Sequence, residues 1–247
     1  MLDDMYNRIE TLLGVWAHPD DEAYLSAALM YRARKAGGRV VVATATLGEA
    51  GLDSLSPEQV AELRHQELQD ALAAVDVRDL RIFGYSDGGC ADVEDGEGVA
   101  MVEALIRDVR PDVIVTFGPD GITGHPDHRA VSRWTIEAWQ RVGHGELLLA
   151  TTTDAFRIAK DSVHERLGVP IEQSVPDDQL ALRVTPNRAE RSRKRAALDA
   201  HHSQTAPFVE RLGYSTFHDW FVDECFRVPT AADLEWAAYA EMAGVSS

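Results

Sequence analysis

Residues 12–22 read LLGVWAHPDDE, an apolar run that ends directly in one His, two Asp and one Glu. A short apolar run followed by polar side chains is typical of a strand that leaves a parallel sheet at its carboxyl end. In open α/β folds, ligands bind in the crevice at that edge. This stretch therefore predicts a parallel sheet and, at the end of its first strand, a ligand site.

Further apolar runs alternate with segments of helical period, which is the βαβ pattern of a parallel sheet. The first four runs each enter a polar or Gly-rich loop: AHPDDE, LGEAG, GYSDGG and GPDGITGHPDH. Because right-handed crossovers make such strands point the same way, we expect the four loops to meet at one sheet edge. The predicted strands are Thr11–Trp16, Val40–Thr46, Leu80–Phe83, Val113–Phe117 and Leu147–Thr152.

The segments between these strands predict flanking helices, so the expected fold class is α/β, a Rossmann-like and mostly parallel sheet. Ser56, Pro57 and Gln59 form a helix start, with Ser56 as the N-cap. We expect one domain over residues 1–247, with a core of about 10–155 and a C-terminal extension of about 156–247 in which the strand signal fades. The predicted helices are Ala23–Gly37, 57 to about 75, about 98–109, His128–Gln140, Asn187–His201 and one near the C-terminus.

Charge and composition exclude several classes of protein. The 41 acidic and 24 basic residues give a formal net charge of -17, which argues against binding to nucleic acid or to an anionic membrane. No run approaches the roughly 20 apolar residues of a membrane helix, and the acidic start MLDDMYNRIE is unlike a secretory signal. The two cysteines, Cys90 and Cys225, form no disulfide framework. We expect a cytoplasmic protein.

A second His-Pro-Asp cluster, GHPDH at residues 124–128, echoes the first. His18 and Asp21 are three residues apart, so both can face one way where the loop turns into a helix. His128 could reach them from a neighbouring strand end. Three such N and O donors suit a divalent ion such as zinc and leave one position open for water. Asp20 projects differently and is free for another task.

AHPDDE followed by GHPDH, with LGEAG between them and HHSQ at residues 201–204, resembles the LmbE-like (PIG-L) family of zinc-dependent N-acetylglucosaminyl deacetylases. The resemblance implies that His18, Asp21 and His128 bind zinc. It implies that Asp20 is the general base and that His125 stabilises the transition state. We expect Asp127 to hold His125 as an imidazolium that donates to the oxyanion.

Substrate contacts are less sharply defined by the sequence. Glu49 and Arg64 match positions that contact sugar hydroxyls in this family, and a surface ion pair is the equally weighted alternative. His201 resembles the family in its HHSQ context, but it could simply end the preceding helix. The basic residues of that helix are expected to form a solvated face: Arg188, Arg191, Arg193, Lys194 and Arg195.

These observations predict a metal-dependent hydrolase that removes acetyl from an N-acetylglucosaminyl-type small molecule. The alternatives are an amidase of a thiol S-conjugate and a non-catalytic Rossmann-like module that binds a nucleotide or sugar, although HPDDE occupies the place of a GxGxxG turn. Inositol-linked, malate-linked and secondary-metabolite sugars all remain open as substrates. The same ligand set can hold zinc or ferrous iron. A homo-oligomer is compatible with the sequence.

Overall fold

Residues 9–243, which the computed structural model describes apart from the side chains of residues 95 and 239–243, contain seven strands in one sheet. The strands are β1 (Thr11–Trp16), β2 (Arg39–Thr44), β3 (Asp79–Ile82), β4 (Val113–Phe117), β5 (Glu146–Thr151), β6 (Leu182–Val184) and β7 (Glu224–Arg227). Their order across the sheet is β3-β2-β1-β4-β5-β7-β6. β1 to β5 are parallel to one another, and β7 is antiparallel to β5 and to β6. The predicted mostly parallel α/β fold is confirmed.

The strand order reverses between β1 and β4. From β1 the chain builds outward through β2 and β3, then returns to the other side of β1 to form β4 and β5. In open α/β sheets the crevice outside such a reversal is where ligands bind. The AHPDDE and GHPDH loops follow β1 and β4, so both lie at this point of the sheet.

Strand bounds follow the predictions closely. β1 and β4 have the predicted ends, and β3 and β5 are shifted by one residue. β2 ends at Thr44, two residues before the prediction, but its backbone continues to pair: Ala45 donates to the Trp16 carbonyl and Thr46 to the Ala17 carbonyl. The predicted and observed bounds agree because most of these strands are buried, so their apolar residues mark them clearly in the sequence.

Helices cover both faces of the sheet. They are α1 (Asp21–Leu25), α2 (Ala27–Lys35), α3 (Pro57–Ala74), α4 (Asp95–Val109), α5 (Gly121–Gly124), α6 (Pro126–Val142), α7 (Asp154–Leu167), α8 (Arg188–Ala200), α9 (His202–Leu212), α10 (Tyr214–His218) and α11 (Ala231–Ala243). Ser56 caps α3 and forms the full capping box with Gln59, as predicted. Of the expected C-terminal helix, residues 244–247 lie outside the described residues, as do residues 1–8 of the acidic N-terminal segment.

The single helix predicted over Ala23–Gly37 is wrong, because the chain breaks at Ser26. Ser26 has φ -147 and ψ 4, and its hydroxyl donates to the Glu22 carbonyl. The carboxylate of Glu224, at the start of β7, accepts from the backbone N–H groups of Ala28 and Leu29 at 2.7 and 2.9 Å. A carboxylate from the far end of the chain thus satisfies the N-terminal donors of α2, which makes a second helix start favourable there.

The C-terminal part of the chain holds the elements that the sequence left unassigned: β6, β7, α7, α9 and α10. β7 extends the sheet by pairing with β5. Lys194 does not belong to a solvated face as predicted: its Nζ is buried and contacts Glu224 at 2.8 Å and the Tyr24 carbonyl at 2.6 Å. Its long side chain therefore links α8 to β7 and to α1, the short helix that begins within AHPDDE.

Between residues 9 and 243, the structure contains no helix with the length and apolar character needed to cross a membrane. Both cysteines are free thiols, Cys90 buried and Cys225 half-buried. Burial raises the pKa of Cys225 to about 11 and that of Cys90 further, so neither thiol is primed as a nucleophile.

Candidate metal centre and active site

A cavity of about 460 Å³ opens at the carboxyl edge of the sheet. Each of the four loops expected there contributes to its lining, for example through His18, Ala50, Asp87 and His125. The parallel direction of β1 to β4 brings these loops together from positions as far apart as His18 and His128, 110 residues along the chain. The predicted gathering of polar loops at one edge is confirmed.

Three donors converge on one point of this cavity. His18 Nδ1 lies 3.2 Å from His128 Nε2, and the Asp21 carboxylate lies 3.8 Å from the first nitrogen through Oδ2 and 3.4 Å from the second through Oδ1. Donors bound to zinc at about 2.0–2.1 Å and at tetrahedral angles are roughly 3.3 Å apart. The two nitrogens and the Asp21 carboxylate are therefore close to the spacing of three ligands on one ion, which would leave one position open.

The outer nitrogen of each ring is fixed by a second bond. His18 Nε2 lies 3.2 Å from Asp127 Oδ2 and 3.1 Å from Asp87 Oδ1, and His128 Nδ1 lies 3.0 Å from the Gly121 carbonyl. Because these acceptors need N–H donors, the protons sit on the outer nitrogens and the inner pair faces one another. Either a shared proton or a metal ion must lie between the inner nitrogens.

The pKa values of the His18 and His128 rings agree with one proton shared between them. Burial would lower the pKa of His18, but the Asp127 and Asp87 carboxylates outweigh it and raise this pKa to about 10. Burial and the charge of His18 lower the pKa of His128 to about 4. Without a metal, His18 therefore holds the proton on Nδ1 and shares it in a hydrogen bond to His128 Nε2. A bound metal would replace that proton, as is general for imidazole ligands.

His125 lies beside the pair, and the three ring nitrogens are within 4.8 Å of one another. Its Nδ1 accepts from the Asp127 backbone N–H at 3.2 Å, which leaves the proton of the neutral ring on Nε2. Burial and the neighbouring imidazoles lower the pKa of His125, so the neutral ring is the favoured form. The structure therefore does not support the expected imidazolium form of His125. The Nε2–H of the neutral ring can still donate a hydrogen bond to an oxyanion.

The Asp127 carboxylate does not hold His125 as predicted. It is fully buried and accepts from the Gly88 and Cys90 backbone N–H groups at 2.8 and 3.1 Å, in addition to its contact with His18. The reason is tertiary: Asp127 stands in the first turn of α6, and the loop after β3 presents the Gly88 and Cys90 N–H groups to its carboxylate. Asp127 thus orients a proposed metal ligand.

Asp20 is held in an unusual backbone conformation, with φ 118 and ψ -28. Glu22 Oε2 accepts from the Asp20 backbone N–H at 3.0 Å, and the Asp20 carbonyl accepts from Ala23 and Tyr24. Positive φ costs a non-glycine residue about 1–2 kcal/mol, so these bonds hold a strained residue at the cavity. Burial raises the pKa of Asp20 to about 6, against the opposing charge of Arg64.

Arg64 is buried at the floor of the cavity and is not part of a surface ion pair. It is 4% exposed, and its two Nη atoms donate to the Gly48 and Pro19 carbonyls at 2.9 and 2.5 Å. Its Nη2 lies 3.8 Å from Asp20 Oδ2. A Cβ on Gly48 would come within 2.0 Å of Arg64 Nη1, so the glycine of LGEAG makes room for the guanidinium.

Glu49 and His201 lie apart from the cavity lining. Glu49 Oε1 accepts from the Asp87 backbone N–H at 2.9 Å and so braces the loop that carries Asp87. His201 is fully buried, and its Nε2 lies 2.7 Å from Glu22 Oε1. The structure therefore places both behind the cavity surface, as supports for Asp87 and Glu22.

Three residues of this region escaped the sequence analysis: Asp87, Glu22 and Tyr24. Asp87 stands in GYSDGG, whose sequence predicts a polar loop but does not distinguish Asp87 from its neighbours. Glu22 is the last residue of AHPDDE, and its position beside Asp20 and Asp21 could have indicated a role in the site. Tyr24 lines the cavity one turn further on. Nothing in the local sequence distinguishes it from a core aromatic residue.

The fold and the site define a class of protein: an α/β protein with three histidines and an aspartate at the reversal point of its sheet, a donor set that suits a divalent metal. Residues 13–139 match the sequence family described as PIG-L: GlcNAc-PI de-N-acetylase. The chain belongs to this family. The resemblance carried by the two His-Pro-Asp motifs is confirmed.

Curated relatives extend the match beyond the motifs. The chain is 35% identical over 241 residues to the 1D-myo-inositol 2-acetamido-2-deoxy-alpha-D-glucopyranoside deacetylase of Thermomonospora curvata, covering 78% of this chain and 80% of the relative. It is 32% identical over 200 residues to the probable N-acetyl-alpha-D-glucosaminyl L-malate deacetylase 2 of Bacillus cereus, covering 78% and 88%. Both relatives are named as deacetylases of glucosaminyl compounds.

A solved structure shares the fold. The N,N'-diacetylchitobiose deacetylase from Pyrococcus horikoshii aligns with a TM-score of 0.63 and 18% sequence identity, covering 93% of this chain and 87% of that one. At this identity the comparison shows the common architecture. The alignment reaches well past β5, so most of the C-terminal part of the chain follows the same architecture.

Proposed function

We propose that this chain is a metal-dependent hydrolase that removes the acetyl group from an N-acetylglucosaminyl-type small molecule. The observation that carries the proposal is the convergence of His18 Nδ1, His128 Nε2 and the Asp21 carboxylate, with Asp20 and His125 lining the same cavity. A metal-binding module without catalysis would need neither of the last two residues. The relatives' names as deacetylases support the same assignment.

His18, Asp21 and His128 are the proposed ligands of Zn²⁺. Their spacing matches a tetrahedral ion, and two imidazoles with one carboxylate form a borderline-soft donor set that zinc accepts readily. Ferrous iron is the alternative ion, since His and carboxylate ligands hold it as well. When bound, zinc supplies a Lewis acid that polarises the amide carbonyl and lowers the pKa of a water to about 7.

Asp20 is the proposed general base. Its pKa of about 6 leaves the carboxylate ionised at neutral pH and close enough to that pH to accept and return a proton. It takes a proton from the attacking water, whose oxygen forms a bond to the carbonyl carbon. As the C–N bond breaks, Asp20 returns the proton to the leaving nitrogen, giving acetate and a free amine.

His125 is the proposed oxyanion donor, and the supporting residues have distinct tasks. The neutral ring donates from Nε2 to the oxygen that becomes negative, a contribution of about 3 kcal/mol in comparable sites. Asp127 and Asp87 orient His18. His201 positions Glu22, which holds the Asp20 backbone, so His201 acts through other residues and does not contact the substrate. Arg64 holds the Gly48 and Pro19 carbonyls at the cavity floor, beneath the proposed sugar site, while Glu49 braces the Asp87 loop.

The partner is a small amino-sugar compound, and neither nucleic acid nor membrane is needed by this chemistry. The cytoplasm is the proposed location, supported by the two free thiols, which persist in reducing compartments. A homo-oligomer stays a proposal from the sequence.

The proposal is tested by acetate release from zinc-loaded protein across free, inositol-linked, malate-linked and chitobiose forms of N-acetylglucosamine. Asp20→Asn serves as the matched blank, because it keeps size and ligands but removes the base. We expect release from at least one compound, reduced by about 10²–10⁴-fold in the variant. Equal rates for the two proteins would refute the assigned base, and silence from the wild type on all compounds would refute the substrate class.

A further inference from the structure

The cavity has two chemically different halves. One half contains the three proposed metal ligands together with Asp20 and Asp87. The other half is a wall of aromatic side chains: Tyr24 from α1, Phe208 from α9, and Trp220 and Phe221 from the segment after α10. We call these four residues the aromatic wall. It is continuous with the metal half, since both line one cavity.

The aromatic wall is built in advance of any ligand. The rings of Trp220 and Phe221 lie 5.0 Å apart, Phe208 lies 6.1 Å from Trp220, and Tyr24 lies 6.0 Å from Phe221, all within the range of favourable ring contacts. The Trp220 indole N–H points to His164 Nε2 at 3.4 Å. With its indole nitrogen engaged away from the wall, Trp220 offers the cavity carbon atoms only.

Tyr24 marks the boundary between the halves. Its ring belongs to the wall, and its phenol feels the charges of Asp20 and Asp21, which, after burial, help to raise its pKa well above the ordinary value. Within the described residues, the Tyr24 hydroxyl is buried without a hydrogen-bond partner, so Tyr24 presents its ring to the cavity. Because Asp20 and Tyr24 line the same cavity, whatever extends beyond a sugar bound beside Asp20 would meet the wall.

The wall does not suit the polar groups that the relatives' substrates carry. Of the described residues that line the cavity, Arg64 is the one Arg or Lys; its two Nη atoms are bonded to backbone carbonyls, and its Nε is buried without a partner. An anionic group such as malate thus finds no exposed Arg or Lys nitrogen to pair with there. A polyol such as inositol would lose bonds to water against phenyl and indole rings, which return few.

We propose that the natural substrate carries an apolar aglycone, of the size of an aryl ring or a short alkyl chain, that packs against Tyr24, Phe208, Trp220 and Phe221. This inference rests on the proposed deacetylation, which makes acetyl the acyl group and leaves the aglycone as the part that extends beyond the sugar. Three wall residues, Tyr24, Phe208 and Phe221, are only half-buried, so covering them removes apolar surface from water.

The test compares kcat/KM for the phenyl and methyl glycosides of N-acetylglucosamine in the same anomeric form. We expect the phenyl glycoside to be favoured by roughly tenfold or more, as for other hydrophobic subsites. In Phe221→Ala and in Phe208→Ala the phenyl-to-methyl ratio should fall towards one, and either variant suffices if the other does not fold. Phe83→Ala is the matched control: Phe83 is half-buried, packs on Tyr85 and lies outside the cavity, so the ratio should be kept.

Calorimetric binding of phenyl glucosaminide, the deacetylated product, separates this inference from the proposed function. Binding with a negative heat-capacity change that is lost in Phe221→Ala supports the wall even if no acetate is released. A ratio near one in the wild type, or a higher rate with the inositol-linked sugar than with the phenyl glycoside, would overturn the inference while leaving the deacetylase intact. A preference for a longer N-acyl chain instead of the phenyl group would also overturn it.

Discussion

Asp127 sets the geometry of the proposed metal centre without being a ligand. Its carboxylate accepts from two backbone N–H groups and from His18 Nε2, so it fixes both the tautomer of His18 and the direction of its ring. Partners of this kind raise the basicity of the ligand that they hold. Substitution of Asp127 should therefore affect the metal centre, as substitution of a ligand would.

Replacement of this carboxylate should weaken metal binding. In Asp127→Asn, the amide can offer only one oxygen, and its NH₂ group meets donors from Gly88, Cys90 or His18. We expect the zinc affinity to fall by about 10–100-fold, measured by competition with a chelator. Asp70→Asn, an exposed carboxylate on α3, is the matched control and should bind zinc as the wild type does. Equal affinity in the two variants would contradict the role given to Asp127.

The His201–Glu22 pair predicts a pH-dependent contribution to stability. Burial would lower the pKa of His201, but the Glu22 carboxylate outweighs burial and raises it. The stabilisation is then complete below the unfolded pKa of about 6.5 and disappears as the pH rises through the folded pKa. Urea unfolding of metal-free wild type and His201→Gln should show a larger difference in free energy at pH 6 than at pH 9. A difference that is constant or grows with pH would contradict this assignment.

At the residue scale the sequence predicted which side chains meet but not how they bond. His18, Asp20, Asp21, His125 and His128 come together as the two motifs indicate. The partner of Asp127 was wrong, because the direction of a side chain in the first turn of α6 depends on the loop after β3, some forty residues earlier. Asp87 was missed for the same reason. Its contact with His18 exists only once β1 and β3 stand in one sheet.

At the element scale, the LGEAG loop and α3 are fitted to one another through a single glycine. Gly48 has φ +66, and its missing side chain leaves the space that Arg64 Nη1 occupies. Arg64 in turn reaches the carbonyl of Pro19 in the AHPDDE loop. The loop after β2, the helix that follows it and the loop after β1 are thus locked together beneath the cavity.

Gly48→Ala should displace Arg64 and lower kcat/KM, because the new Cβ would lie 2.0 Å from its Nη1. We expect kcat/KM for deacetylation to fall at least tenfold, because the Arg64 charge would move away from Asp20. Gly37→Ala is the matched control: Gly37 has φ +92, so it suffers similar backbone strain, but nothing lies within 4 Å of its added Cβ. Both variants should lose about 1–2 kcal/mol of stability, and only the first should lose activity. Equal loss of activity in both would assign the effect to strain alone.

Elements were predictable where local sequence and burial agree. The capping box of α3 and the bounds of β1 and β4 are of this kind. The break at Ser26 was not, since the Glu224 carboxylate that starts α2 anew comes from almost two hundred residues away. The short strands β6 and β7 contain only three and four residues and lie at one side of the sheet, where periodicity gives little signal.

At the scale of the whole molecule, the C-terminal part completes the fold begun by β1 to β5. β7 pairs with β5, α8 packs on α2 and α3, and the Lys194–Glu224 pair joins α8, β7 and the start of α2. The same part supplies Phe208, Trp220 and Phe221 to the cavity. The sequence predicted only an unassigned extension here, because β7–β5 pairing and the Lys194–Glu224 contact join positions far apart in the chain.

Removal of the buried lysine should destabilise the whole chain. Lys194→Met leaves the Glu224 carboxylate buried without its countercharge, which costs about 3–5 kcal/mol. Arg107→Met is the matched control, because Arg107 pairs with Glu103 on the exposed surface of α4, where such pairs contribute about 0–1 kcal/mol. Urea unfolding measures both. A loss below about 1 kcal/mol in Lys194→Met would show that Glu224 is satisfied by its backbone donors alone.

A zinc titration of metal-free protein, with deacetylation followed at each addition, tests whether the proposed metal centre is required for activity. We expect the activity to rise linearly and to reach its plateau at one zinc per chain, since His18, Asp21 and His128 form one proposed centre. His128→Ala should show no plateau at one equivalent. Full activity in the metal-free protein, or a plateau that His128→Ala leaves unchanged, would contradict the proposed centre.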